Sequence, residues 1–252
     1  MLSIIDTRTG EPVVAAPVRR GLTRVEAHAS GYGAGSLRIL LVADLLVRAL
    51  ELGGTPVWAL LSGERDQAEL RAGATALGMH PFEGGRDLGA GAGVGEAQIL
   101  HVVEEGGQTP DGVCVAVAPA EGAVPGGPGS GRVFGGADTD PAVLRLALLS
   151  RPRTEPLRLD ADVLGEARHS LVGWRRAVAG WAGRPSRPVP DEVRGRLRAA
   201  WEDDLDLPEV LRVLRWVEDA GPELPDGARF ESYAYADRLL GLELTRDVGA
   251  PA

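Results

Sequence analysis

Gly31-Tyr32-Gly33-Ala34-Gly35-Ser36 stands between an alternating apolar stretch and a long apolar one. Glycines at this spacing leave backbone N–H groups uncovered. A helix that starts there adds the positive end of its dipole, so the stretch suits a phosphate. Gly31, Gly33, Gly35 and Ser36 are therefore the candidate nucleotide-binding residues. The pattern G-x-G-x-G-S is not the dinucleotide fingerprint, and no acidic residue follows in the expected strand-end context. A helix N-terminus alone gives an anion only ~0.3–1 kcal/mol, so a nucleotide held here is held weakly. The plain alternative is a tight turn with no ligand. His28 precedes the glycines and is a candidate hydrogen-bond donor to a bound group; its other reading is a partly exposed strand-end residue.

Other reactive side chains carry less. His101 falls in an apolar run and reads as a satisfied core histidine, and His80 and His169 follow no pattern. His28, His80 and His101 show no ligand spacing, and no metal is expected. Cys114 lies among Val113, Val115 and Val117 and reads as a small core hydrophobe. As the sole cysteine it excludes a disulfide framework and a thiolate-rich zinc site. Asp203, Asp204 and Asp206 precede Pro208 and a helical run, which makes them cap and dipole residues rather than an acid/base site. Arg19, Arg20 and Arg24 read as a solvated face. All 27 basic residues are arginine, so lysine-dependent Schiff-base and P-loop chemistry is excluded. A net charge of −9 disfavours a nucleic-acid surface.

These residues need a scaffold, and 252 residues at 44% hydrophobic and 25% charged supply a globular one. An apolar run over 2–5 ends in a turn over 6–12, and 22–28 alternates as a strand. Residues 37–52 form a well-buried helix with Ser36 as N-cap and Gly53-Gly54 as its stop. Residues 55–61 form a buried strand. Strand, glycine turn, helix and strand make a βαβ unit, hence a parallel sheet with right-handed crossover. A second helix over 64–77, a glycine-rich loop over 82–95, buried strands over 98–103 and 113–118 and a Pro/Gly-rich loop or linker over 122–136 follow. The composition then turns helical, at 141–149 (capped by Asp138 or Thr139, with Pro141 in the first turn), 160–181, 191–201, 208–220 and 232–240. Trp174, Trp181, Trp201 and Trp216 are expected to fill helix–helix contacts in a small bundle. The fold class is α/β: a Rossmann-like core domain over 1–135 and a helical stem domain over 136–252. Residues 1–9 carry Asp6 and Arg8, and the run 39–50 is broken by Asp44 and Arg48. Neither a targeting segment nor a span of ~20 apolar residues is read, and a cytoplasmic protein is expected.

The order and wording of these pieces resemble the cysteinyl-tRNA synthetase family and its relative, the cysteine ligase of mycothiol synthesis. Ile4-Ile5-Asp6-Thr7-Arg8-Thr9-Gly10 is similar to the family's opening, and Val42-Ala43-Asp44-Leu45-Leu46-Val47-Arg48 to the helix after its HIGH motif. Asp140-Pro141-Ala142-Val143-Leu144-Arg145-Leu146 resembles its "DPEALRLFLLS" stretch, and Trp174-Arg175-Arg176-Ala177-Val178 its stem helix. Asp203-Asp204-Leu205-Asp206-Leu207-Pro208 resembles "DDLNTP", and Ala236-Asp237-Arg238-Leu239-Leu240-Gly241 the end of the stem. The resemblance covers most of 1–60 and 138–244. It implies an abbreviated class I synthetase core of the HUP nucleotidyl-transferase type, ATP as cofactor and a cysteinyl adenylate as ligand.

The departures bear on function. The HIGH motif falls on Gly33-Ala34-Gly35-Ser36, without either histidine. One lost preorganised donor costs ~2.7–4 kcal/mol in comparable oxyanion sites. The lysine motif KMSKS would fall in 122–136, where Arg132 is the sole cation and the second candidate catalytic residue besides His28. The family's Cys, His and Glu zinc ligands find no counterpart. The region between the two motifs is short, and no anticodon-binding domain is expected after the stem. These joint losses lead to the expectation of a degenerate, non-catalytic paralogue acting as a binding, regulatory or assembly subunit. The alternative is a divergent ATP-dependent ligase that forms an aminoacyl adenylate for a non-tRNA amine acceptor. A core that lost its insertion would expose apolar surface, so a protein partner or a homo-oligomer is expected.

Overall fold

The alternation over Thr23–His28 sets the first central strand, because Thr23, Val25 and Ala27 are buried while Arg24, Glu26 and His28 are half-exposed. The computed structural model describes residues 1–16, 22–84, 98–125 and 140–250. Among them are nine strands and seven helices: β1 (Ser3–Asp6), β2 (Glu11–Val14), β3 (Thr23–His28), α1 (Ala34–Leu52), β4 (Val57–Ser62), α2 (Gln67–Ala76), β5 (Glu83–Gly84), β6 (Ile99–Glu104), β7 (Val113–Val117), β8 (Ala120–Glu121), α3 (Pro141–Leu149), β9 (Leu157–Arg158), α4 (Ala161–Trp181), α5 (Asp191–Glu202), α6 (Leu207–Asp219) and α7 (Asp226–Leu240). The central sheet is parallel throughout, in the order β5-β4-β3-β6-β7. The chain adds strands to one side of β3, then crosses to the other at β6. This is the doubly wound order, with its switch point between β3 and β6. The Rossmann-like α/β class read from the sequence is the observed one.

Several boundaries differ from the expected ones. The first apolar run is half of an antiparallel hairpin, β1 with β2, which the alternation alone did not reveal. The hairpin docks on the sheet edge: Thr7 N donates to Cys114 O (2.8 Å), and Cys114 N donates to Asp6 Oδ1 (3.1 Å). Helix α1 begins at Ala34, so Ser36 is not its N-cap. Extended Gly33 takes that position, with no side-chain cap. Gly35 follows in the first turn beside Ala120, where a Cβ would make ordinary contact with its carbonyl oxygen at 3.5 Å. Asp66 holds a left-handed conformation (φ +53°), which delays α2 to Gln67. Asp140 caps α3, accepting from Ala142 N at 3.0 Å, while Asp138 and Thr139 lie outside the described residues. Helix α7 starts at Asp226, six residues before the expected Ser232. Asp206 caps α6 as expected, but both carboxylate oxygens of Asp204 instead accept from Arg153 Nη2 (2.5 and 2.7 Å). Trp174, Trp181 and Trp201 are buried among the helices; Trp216 is 37% exposed, with the Arg196 guanidinium 4.2 Å above its ring. The residues around position 135 fall outside the described ones. No described helix is long and apolar enough to cross a membrane.

Helix α1 is covered by the sheet on one side and by α3 and α7 on the other, so it is buried nearly all round. Two charges on it need partners inside. Arg38 is 1% exposed and donates to the carbonyls of Ala118, Arg151, Pro152 and Glu155. Asp44 is fully buried. It accepts from Arg145 (2.6 Å), Arg48 (2.8 Å) and both His80 N (2.9 Å) and His80 Nδ1 (2.7 Å). Arg145, also fully buried, sends its remaining donors to Leu240 O (2.5 Å) and Leu77 O (3.0 Å). Left-handed Gly241 (φ +60°) makes room for this guanidinium, since a Cβ there would approach its carbon to 3.0 Å.

Replacing one partner of a buried ion pair strands the other, at a cost of about 3–5 kcal/mol. Asp44→Asn and Arg145→Met are each expected to lose that much in urea unfolding, and a loss below ~1 kcal/mol contradicts the assignment. Burial alone would raise the Asp44 carboxyl. The His80 hydrogen bond and the charges of Arg145 and Arg48 outweigh it and hold Asp44 well below the usual carboxylate range. The unfolded chain therefore takes up this proton first. The stability that Asp44 contributes is complete above about pH 4 and lost as pH falls below it. Unfolding curves from pH 7 down to pH 3 should show that decline in the parent and a shallower one in Asp44→Asn.

Candidate functional site

Ligands of open α/β sheets sit beyond the carboxyl ends of the strands, at the switch point. Here that place is the end of β3, β4 and β6, where a cleft of about 590 Å³ opens, lined by His28, Ser30, Ser62, Gly63, Arg65 and Glu104 among others. Because side chains alternate across a strand, Val25 and Ala27 enter the core with α1, while Glu26 and His28 share the opposite face. Parallel register sets His101 of β6 beside Glu26, and Ser62 of β4 beside His28. Three potential ligands thus meet. His28 Nε2 is 3.0 Å from His101 Nδ1; Glu26 Oε1 is 4.0 Å from His28 Nε2, and Glu26 Oε2 is 3.7 Å from His101 Nδ1.

The surrounding groups orient them. Ser62 Oγ donates to Glu26 Oε1. His101 Nε2 lies 3.2 Å from the carbonyl oxygen of Asp111, which can only accept. That proton is therefore on Nε2, and Nδ1 keeps its lone pair. His28 Nε2–H then donates to it. Burial pushes the His28 pKa down; the Glu26 charge pulls it up and His101 pushes it down again. Glu26, His28 and His101 are the described His/Cys/Asp/Glu residues whose atoms could hold one metal ion, lying within 4.8 Å of one another.

The glycine turn lies just beyond His28. Gly31 has φ +145°, a conformation that favours glycine, and a Cβ there would lie 3.5 Å from Asp66 Oδ2. The same carboxylate oxygen accepts from Tyr32 N at 3.0 Å. Tyr32 is anchored at its far end, its hydroxyl donating to Pro125 O at 2.6 Å, and its ring packs where a Cβ on Gly73 would come within 3.0 Å. Gly33, Gly35 and Ser36 follow as the cap and first turn of α1. His28 Nε2 is engaged with His101 rather than with this turn. Arg132 lies outside the described residues, as do Arg19 and Arg20. Cys114 is fully buried in β7, its thiol pushed up by burial and 3.4 Å from Pro110 O, as a core residue should be.

Sequence reasoning passed over Glu26 and the grouping of the two histidines. The i, i+2 spacing of Glu26 and His28 on an alternating strand was a usable signal, but only the strand order that sets β6 against β3 brings in His101.

No protein-family model matches the chain. Curated proteins named L-cysteine:1D-myo-inositol 2-amino-2-deoxy-alpha-D-glucopyranoside ligase do. The one from Streptosporangium roseum is 37% identical over 110 residues, 42% of this chain and 26% of the relative. Those from Streptomyces griseus subsp. griseus and Cellulomonas flavigena are 38% and 36% identical over 108 and 109 residues, each match covering 42% of this chain and 25% of the relative. The chain is related to these ligases. The match spans about a quarter of their length. The resemblance to the cysteinyl-tRNA synthetase family and its cysteine-ligase branch is thereby borne out, and with it a synthetase-like ligase core as the chain's kin.

Nitrogen-15 NMR of the metal-free protein should show His101 protonated at Nε2 and bare at Nδ1, and His28 titrating below ~6.5. A His28 value at or above that figure, or the opposite His101 tautomer, contradicts the arrangement.

Proposed function

We propose that the chain is a non-adenylating relative of the cysteine ligases, which binds a small ligand in the cleft over β3, β4 and β6 and acts as a binding or regulatory subunit. The observation that carries this reading is the Asp66 carboxylate on the glycine turn. It takes the Tyr32 N–H, one of the amides a phosphate would use. Asp66 is exposed, so a phosphate charge held about 4 Å from it is repelled by between about 1 kcal/mol in water and about 4 kcal/mol at an effective dielectric constant of 20. The helix N-terminus returns only ~0.3–1 kcal/mol. With no lysine in the chain and both histidines missing from the adenylation motif, repulsion wins. In this reading the Gly31–Ser36 stretch serves as a tight turn. A protein partner or a second copy, in the cytoplasm, belongs to the same proposal. The hairpin offers one apolar edge, with Ile5 and Val14 each 41% exposed, and the net charge of −9 disfavours nucleic acid as that partner.

The second reading, an ATP-dependent ligase with a non-tRNA amine acceptor, is favoured by the relatives' name, that of a ligase of L-cysteine and an amino sugar. Calorimetry separates the two. The native protein is expected to give no heat with ATP up to ~1 mM, and Asp66→Ala to tighten any residual ATP affinity severalfold or more by removing the like charge. Micromolar binding of ATP or of a non-hydrolysable cysteinyl-adenylate analogue by the native protein, about −8 kcal/mol, would favour the ligase.

A further inference from the structure

We propose that Glu26, His28 and His101 form a binding site for a zinc-class divalent metal ion, with its open coordination position facing the cleft. His28 Nε2 and His101 Nδ1 are 3.0 Å apart; Glu26 Oε1 lies 4.0 Å from the first and Oε2 3.7 Å from the second, and one ligand atom from each residue falls within 4.8 Å of the other two. A tetrahedral ion with bonds of about 2.0–2.1 Å separates its ligands by about 3.3–3.4 Å. Shifts of up to about an ångström, within the torsional freedom of the Glu26 side chain, close the set around one carboxylate oxygen. Two imidazoles with one carboxylate suit zinc and its transition-metal neighbours. Calcium and magnesium take oxygen ligands instead.

The supporting partners are already in place. The Asp111 carbonyl holds the proton of His101 on Nε2 and leaves Nδ1 for the ion, and the Ser62 hydroxyl fixes the Glu26 carboxylate. Bonds of this kind from outside the ligand set orient metal-binding histidines and carboxylates. The ligands stand on two adjacent strands rather than on loops. The His101 side chain is 7% exposed, and those of Glu26 and His28 are 20% and 30% exposed, so the ion would be reached from the cleft. Metal binding requires His28 to present a bare Nε2. Its proton leaves to solvent while Nδ1 takes one up, and the ring stays neutral. Three protein ligands and one open position are the arrangement of sites where the metal meets a further ligand. The set contains no thiolate, since Cys114 is buried in β7. The proposal does not rest on whether ATP binds, because it concerns the strand ends and not the glycine turn.

The test uses the full chain, stripped with a chelator and dialysed. Zinc chloride is titrated by calorimetry, and cobalt(II) chloride is followed by its visible absorption. The expected result is a single equivalent of zinc bound at micromolar Kd or tighter, with the intense absorption of four-coordinate cobalt, unaffected by millimolar magnesium. His28→Ala, His101→Gln and Glu26→Gln should each weaken binding at least about tenfold. His169→Ala, on the distant α4, should not. Glu26→Gln keeps the side-chain shape, and circular dichroism checks that each variant folds. Absence of zinc binding by the parent overturns the proposal. So does binding that survives both His28→Ala and Glu26→Gln, or cobalt absorption of the six-coordinate kind alone.

Discussion

The ion pair between Asp44 and Arg145, sealed inside the protein, is the constraint on which the rest of the structure depends. Asp44 comes from α1 of the sheet half, and Arg145 from α3 of the helical half. Neither touches water, so each must be satisfied by the other and by its neighbours. An ion pair of this kind adds little net stability over apolar packing. What it supplies is register: the guanidinium fork reaches Asp44, Leu77 and Leu240 only when α1, the end of α2 and the end of α7 are all in place. Arg38, Arg153 and Arg175 repeat the device. Arg38 spreads its donors over the backbone carbonyls of distant segments, Arg153 joins Ala116 O to the Asp204 carboxylate, and Arg175 adds Asp140 to the carbonyls of Leu242 and Glu243. A lysine offers a compact charge without the planar fork and would not bridge three segments this way.

The same constraint places the cleft. Helix α1 is gripped from behind at Asp44 and near its start at Arg38, so the turn before it is fixed relative to the strand ends. Gly31 then takes its left-handed-side conformation beside Asp66, and Tyr32 is pinned by Asp66 and Pro125. On the other face of β3, strand register alone brings Glu26, His28 and His101 together. The two features share a strand end but differ in charge logic. The turn carries a carboxylate where an anion would sit, and the strand ends gather ligands that suit a cation.

Much of the fold was legible in the sequence. The alternation over 22–28, the long apolar run after the glycines and the two buried-strand runs each appear where expected. Asp160 caps α4 through Val163 N, consistent with the expected helix start. Short elements escaped because too few residues carried a period: β2, β5, β8 and β9 have four residues or two each. The start of α1 differs from the expected one because extended Gly33, not Ser36, takes the cap position, with no side-chain cap bond. Trp216 stayed outside because Arg196 offers its ring a cation instead of a core. The candidate site was legible only as parts. His28 and the glycines could be named, but the Asp66 carboxylate and the His28–His101 pairing arise from segments 34 and 73 residues apart, whose meeting no local pattern announces.

The proposal is that this ligase-like core does not activate an amino acid. It is tested most directly by pyrophosphate exchange: labelled pyrophosphate, ATP and L-cysteine with the purified full chain. The account predicts no label in ATP above the enzyme-free blank, with or without added zinc. Cysteine-dependent exchange that saturates with ATP would contradict it.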